Sequence, residues 1–227
     1  MCFSAEADFV SGAVIGAIGI ATLTQVERPR ELPLAILPLA FALHQVAEGF
    51  VWRDLDSGVA RSTGVPVYLY LAFAWVVLPI LAPFAIMILE PPGRRRRVIG
   101  GFVVLGAIAG AYLAAAIVRG DVSAHAVEHT VQYGGAGQFA TAATALYIIE
   151  TCGAPLVSGF RAIVWFGVAN VVAVAAFATV QAEGLTSLWC TWAAVVSVLI
   201  FMQFVFWRRG DDRERTGHEL DAPVTAT

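Results

Sequence analysis

The sequence predicts an all-α polytopic membrane protein, a bundle of seven transmembrane helices with its N-terminus outside the cytoplasm and its C-terminus inside. Three observations predict it. Of 227 residues, 59% are hydrophobic and only 14% charged, with a mean hydropathy of +0.76. A soluble domain carries about 25% charged residues, and a globule this small must still cover its surface with polar groups. Seven stretches approach the roughly 20 mostly apolar residues that a bilayer crossing requires. The arginines then fall almost entirely on one side of the resulting topology.

The seven stretches are Asp8–Thr24, Leu34–Trp52, Val67–Leu89, Val98–Val118, Phe139–Pro155, Ala162–Gln181 and Leu188–Trp207. The first carries Glu6 and Asp8 where a cleaved signal would carry a basic segment, so it reads as a retained span. Gly12 and Gly16 in the first stretch, and Gly106 and Gly110 in the fourth, have the spacing that lets two helix backbones approach closely. Pro79 and Pro83 predict a kink in the third. The fifth is shorter and rich in Thr and Ala. Breakers fill the connections, among them Arg28-Pro29, Pro91-Pro92-Gly93 and Gly134-Gly135. Residues 1–207 thus form one seven-span domain, and 208–227 a polar cytoplasmic tail expected to be disordered.

Orientation follows from the arginines. With the N-terminus outside, Arg28, Arg30, Arg94, Arg95, Arg96, Arg97, Arg161, Arg208, Arg209, Arg213 and Arg215 lie on the cytoplasmic side, against Arg53, Arg61 and Arg119 outside. All 14 basic residues are arginine. A heptahelical photoreceptor of the retinal type is excluded, since its Schiff base needs a lysine amine. The net charge of −3 gives no reason to expect a nucleic-acid partner; the expected partners are the lipid bilayer and a lipid-like or small-molecule substrate.

Chemistry concentrates at the outer ends. His44 and Glu48 in the second stretch are four residues apart, share one helix face and are placed to hydrogen-bond. Trp52 continues that face to the outer interface, where indoles prefer to sit. Glu48 then lies roughly 6 Å and His44 roughly 12 Å below the interface. Ionisable residues at that depth are costly and mark function by default; the plainer alternative is a pair that only ties helices together. Between the fourth and fifth stretches runs Asp121-Val122-Ser123-Ala124-His125-Ala126-Val127-Glu128-His129. Read as a helix, it puts His125, Glu128, His129 and Gln132 on one face, and imidazoles at i, i+4 bind first-row metals. The string also matches H-x-x-E-H, in which two histidines hold zinc and the glutamate activates water. Alternatively it is a solvated polar turn.

The topology gathers His44, Glu48, His125, Glu128, His129, Cys2 and Cys190 on the outer half. Imidazole, thiolate and carboxylate together suit zinc or copper. The expected centre uses His44, His125 and His129 as ligands, Cys2 and Cys190 as accessory ligands, and Glu48 or Glu128 as the base for bound water in a metal-dependent hydrolase. Cys2 and Cys190 could equally form a disulfide on that oxidising face or be inert apolar residues. Glu150, in the inner half of the fifth stretch, suggests a different class: a proton-coupled transporter with Glu48 and Glu150 as stations. It could instead pair with Arg161. Bis-histidine haem ligation and a sensor without chemistry of its own also stay open. Cys152 reads as structural, and Asn170 and Gln203 as interhelical hydrogen-bonding groups.

The opening Met1-Cys2-Phe3-Ser4-Ala5-Glu6-Ala7, the Arg28-Pro29-Arg30-Glu31-Leu32-Pro33-Leu34 turn, His44-Gln45 through Glu48, Thr151-Cys152-Gly153-Ala154 and Ser187-Leu188-Trp189-Cys190 together resemble the DUF6629 family. The resemblance covers nearly the whole chain. It implies a bacterial, actinobacterial-type, multi-pass protein of the plasma membrane and supplies no activity. A looser likeness is to the alkaline ceramidase and progestin-receptor-like superfamily, whose seven spans enclose a three-histidine zinc site with a Ser and an Asp. In that comparison His44 takes the place of the lone early histidine and His125/His129 that of the paired ones. The departures are that the family's pair lies in its last span, and that no aspartate is expected inside this bundle.

Overall fold

A computed structural model describes residues 4–120, 122–127, 130–134, 140–180 and 185–207, the side chains of 140, 177–180, 185–191 and 207 excepted. The expected tail at 208–227 lies outside them. Helix α1 runs Ala5–Leu23 and starts because the Ser4 hydroxyl accepts from the Ala7 N–H at 3.2 Å. Prolines 29, 33 and 38 then open three elements leading into and through the second apolar stretch: a short 3₁₀ turn at Pro29–Glu31, α2 (Leu32–Ala35) and α3 (Leu37–Asp56). Each proline stands at a helix start, where its missing N–H is not needed.

The third stretch is a composite: α4 (Val65–Leu71), a π-helical turn at Ala72–Val77, and α5 (Leu78–Leu89). Pro79 and Pro83 cannot donate to the carbonyls of Trp75 and Pro79 four residues back, and the backbone widens ahead of them. α6 is the long helix Arg94–Val118, and Gly120, at φ 76°, turns the chain out of it. Then come α7 (Ala140–Val157), α8 (Arg161–Val180) and α9 (Leu185–Met202), the last continued by a π turn at Gln203–Trp207.

Four helical stretches are long and apolar enough to cross a membrane: Ala5–Leu23, Pro29–Asp56, Val65–Leu89 and Arg94–Val118. Three shorter apolar helices follow over the described residues, Thr141–Val157, Arg161–Ala176 and Trp192–Phe206. The chain is mostly helical and has the character of a membrane protein.

The all-α expectation needs one correction. The segment read as a helix around His125 is a β-hairpin, β1 (Ser123–Val127) paired antiparallel with β2 (Thr130–Gly134), with His125 opposite Gln132 and Ala124 opposite Tyr133. Two periods competed in this sequence. The histidine spacing suits a helix, whereas Val122, Ala124 and Ala126, with Val131 and Tyr133, alternate as a strand requires. Burial decides for the second: Val122, Ala124 and Val131 are buried among Trp52, Leu55, Val67 and Tyr70. Ser62, from the α3–α4 connection, exchanges both backbone hydrogen bonds with Ala124, at 2.8 and 2.9 Å, and its hydroxyl donates to Asp54 Oδ2 at 3.0 Å. The hairpin therefore caps one end of the bundle.

At the other end a carboxylate does the joining. Glu90, buried at the end of α5, accepts from the Ser158 hydroxyl at 2.6 Å and the Gly159 N–H at 2.7 Å, tying the α5–α6 corner to the α7–α8 corner. Glu90→Ala leaves both donors without this acceptor and is expected to cost about 1–3 kcal/mol. Chemical or thermal unfolding in detergent measures it; an unchanged midpoint would show that the two corners hold without the carboxylate.

Candidate functional site: buried carboxyls and a stacked histidine

The glycine stripe of α1 sets the site's register. A Cβ on Gly19 would lie 2.7 Å from the Leu39 nitrogen, one on Gly12 would lie 3.1 Å from the Val46 side chain, and one on Gly49 would lie 2.9 Å from the Phe9 ring. These pairs step together along an antiparallel α1–α3 interface, with the backbones close because the side chains are absent. Continuing the same step by one residue places Asp8 level with Phe50, within a helical turn of Glu48. Asp8, Gln45 and Glu48 are all 0% exposed, and each is engaged with a neighbour. Ser11 donates back to the Asp8 carbonyl at 3.0 Å.

Asp8 corrects the expectation that no aspartate enters the bundle. It opens the first apolar stretch, which by hydropathy alone is a solvated end. The signal that could have found it is the i, i+4 relation to Gly12, which assigns both to the stripe facing α3. Trp52, which continues the His44 and Glu48 face of α3, is 6% exposed within the capped core.

His44 lies one turn deeper and its surroundings are aromatic. Its ring stacks on Tyr70 at 4.0 Å and tilts against Phe73 at 5.0 Å, and Tyr70 stacks in turn on Tyr133 of the hairpin at 4.2 Å. Its Nδ1 has no hydrogen-bond partner among the described residues, so this nitrogen does not make the expected bond to Glu48. The stack runs from α3 through α4 to β2 and joins His44 to the cap.

The remaining predicted ligands divide. Tyr133 and His125 are partnered by adjacent cross-strand positions, Ala124 and Gln132, and adjacent positions of a strand face opposite ways. His44 is therefore reached through one face of the hairpin, while His125 stands on the other. His125 Nδ1 is buried without a partner among the described residues. Glu128, His129 and Cys2 lie outside the described residues, and Cys190 falls in α9 with its side chain outside them. Among the described residues no three His, Cys, Asp or Glu side chains are grouped to hold a metal. Cys152 is free and buried, as a structural cysteine should be. Asn170 is the expected interhelical group, accepting from Trp192 Nε1 at 2.6 Å and joining α8 to α9.

Glu150 stands apart from the other buried carboxyls of the described residues, which have partners. It is 0% exposed, and neither carboxyl oxygen has a hydrogen-bond partner among the described residues. Arg161, the partner the sequence offered, is exposed. The glutamate lies instead toward the kinked helix. Its carboxyl carbon is 3.5 Å from the position a Cβ would take on Gly106, which is also where the Pro79 carbonyl presses against α6. Four residues further along α6, Gly110 meets the Val76 carbonyl at 3.3 Å and the Trp75 carbonyl at 3.5 Å, measured from its own Cβ position. Pro79 and Pro83 remove the usual donors of Trp75 and Pro79, and glycines 106 and 110 let α6 come close enough to cover both carbonyls. The prolines and the glycine pair, separate features in the sequence, are two sides of one contact beside a buried carboxyl.

No curated protein and no solved structure matches the chain. The model of a family described as a family of unknown function, DUF6629, matches residues 1–215. With nearly the whole length matched, including the Ser4 cap, the α1–α3 carboxyls and Glu150, the chain belongs to the DUF6629 family.

Proposed function

We propose that this protein is a proton-coupled carrier of the bacterial plasma membrane, a seven-span bundle with its N-terminus outside, in which Glu150 and Glu48 take up and release the coupling proton. The observation that carries the reading is Glu150: a fully buried carboxyl with both oxygens unpartnered among the described residues, set against a helix interrupted by a π turn and two prolines. A structural carboxyl at such a depth is held by partners, as Glu90 is. An unpartnered one is expensive to keep and belongs to an ion or proton pathway by default. Carriers place such groups beside broken helices, whose loosened carbonyls and flexible geometry serve alternating access. Glu48, with Asp8 beside it, supplies a second carboxyl station under the hairpin cap. The seven-span topology itself is supported by the three shorter apolar helices and the arginine bias.

Proteoliposomes containing a pH-sensitive dye test this. With an imposed pH gradient and a panel of small solutes, wild-type protein should move protons faster than empty vesicles with at least one solute. Glu150→Gln should abolish that flux, and Glu48→Gln should reduce it by about tenfold or more. Flux that survives Glu150→Gln unchanged would end the proposal.

A metal centre is a second reading, favoured by one observation: the buried Nδ1 of His125, unpartnered among the described residues, three and four residues before Glu128 and His129 in the chain. Zinc or copper held there would serve hydrolysis, with Glu128 as base. Elemental analysis of protein purified without a histidine tag decides it. Stoichiometric metal lost in His125→Ala and His129→Ala is expected on this reading, and metal-free protein would dismiss it.

A further inference from the structure

On the far side of the bundle from the hairpin, helices α3, α5, α7, α8 and α9 leave a cavity of about 610 Å³, within the roughly 300–1,000 Å³ of ligand sites. Its walls are almost wholly apolar, among them Phe41, Leu78, Ile86 and Val196. The polar groups are few and ordered along its length. At the deep end, Trp192 and Asn170 are locked together by their 2.6 Å hydrogen bond. At the shallow end stand Gln203 and Arg161. Arg161 is exposed and makes no ion pair among the described residues. From Arg161 to Asn170 along α8 is about 13 Å at 1.5 Å per residue, close to the ~15 Å of hydrocarbon in one leaflet. The side opening is framed by Trp165 of α8 and Phe206 of the terminal π turn, 63% and 64% exposed. An occupant therefore enters sideways from the bilayer.

We infer that this cavity is a binding site for an anionic phospholipid of the inner leaflet, with one acyl chain inserted between α8 and α9 and its phosphate held by Arg161. Three features fix the occupant. An apolar slot one leaflet deep fits an acyl chain, and the few polar groups on its walls, two of them already bonded to each other, offer little to a free polar solute. Guanidinium presents paired N–H donors that match a phosphate's oxygens. The arginine bias places Arg161 on the cytoplasmic side, where anionic lipids concentrate. The inference does not rest on proton coupling, since a lipid can be bound here whether or not Glu150 carries a proton.

Native mass spectrometry of the full-length protein tests it, with dioleoyl phosphatidylglycerol and dioleoyl phosphatidylcholine as probes. One phosphatidylglycerol should remain bound under activation that strips phosphatidylcholine. Arg161→Gln should lower its retention by about tenfold, the equivalent of one charge-assisted hydrogen bond, with Arg161→Lys intermediate. Ala169→Trp, which fills the slot, should displace both lipids. Equal retention of the two lipids by wild-type protein would overturn the inference, whatever the variants do. So would unchanged retention in Arg161→Gln, or competition by glycerol phosphate without a chain, which would identify a phosphate site and not a lipid site.

Discussion

Gly106→Ala is expected to destabilise the bundle by about 3 kcal/mol, at the upper end of overpacking costs, although it adds a single methyl group. The new Cβ would occupy the space of the Pro79 carbonyl oxygen and stand 2.7 Å from its carbon. These are backbone atoms of a helix already committed by its prolines, so no side chain can swing aside and α6 must move as a body. The control is on the same helix. A Cβ on Gly101 meets nothing within 4 Å, so Gly101→Ala should be neutral or gain the roughly 0.5–1 kcal/mol of better helix propensity. Unfolding both variants in detergent gives the comparison directly. Similar midpoints for the two would mean that α5 and α6 do not meet at Pro79. Displacing α6 should also disturb Glu150, so any surviving Gly106→Ala protein should carry protons poorly.

Glu150→Leu should have the opposite effect on stability. Its oxygens contribute no hydrogen bonds among the described residues, so the leucine removes a desolvated polar group without orphaning a partner. A gain of about 1–3 kcal/mol is expected, together with complete loss of coupled flux. Stability rising as activity disappears is what a strained functional residue produces, and a structural one does not. Should Glu150→Leu lower the unfolding midpoint, the carboxyl holds the bundle together and the carrier proposal loses its main support. Glu90→Ala, with its two donors at 2.6 and 2.7 Å, provides the structural contrast in the same assay.

Much of this contrast was legible in the sequence, and some of it was legible only in pieces. Both glycine pairs were marked as helix contacts, and both are. Asn170 was expected to bond across helices and does. Pro79, Pro83, Gly106, Gly110 and Glu150 all stood out individually, yet nothing in their order says that they form one contact, because α5, α6 and α7 meet there through packing between segments far apart in the chain. Asp8 was passed over because hydropathy treats the end of an apolar stretch as solvated; the cap that buries this end of the bundle is built from residues 62, 122–127 and 130–134. His44 and His125 were gathered by topology onto one side of the membrane, but topology fixes depth and not direction. The hairpin places them on opposite faces of a strand pair.

By itself, the sequence determined the solvent and the elements. Apolar runs of bilayer length, broken by prolines and glycines, must be satisfied as helices in hydrocarbon, because no water is there to take the backbone's hydrogen bonds. The membrane character, the helix positions and the candidate acids follow from that constraint alone. Tertiary structure decided how each acid is held. Burial and partners, which only packing assigns, separate Glu90, held by two donors, from Glu150, held by none among the described residues. They also turned the segment around His125 from a ligand-bearing helix into a strand of the β-cap, since cross-strand pairing satisfies its backbone while Ala124 and Val131 are buried.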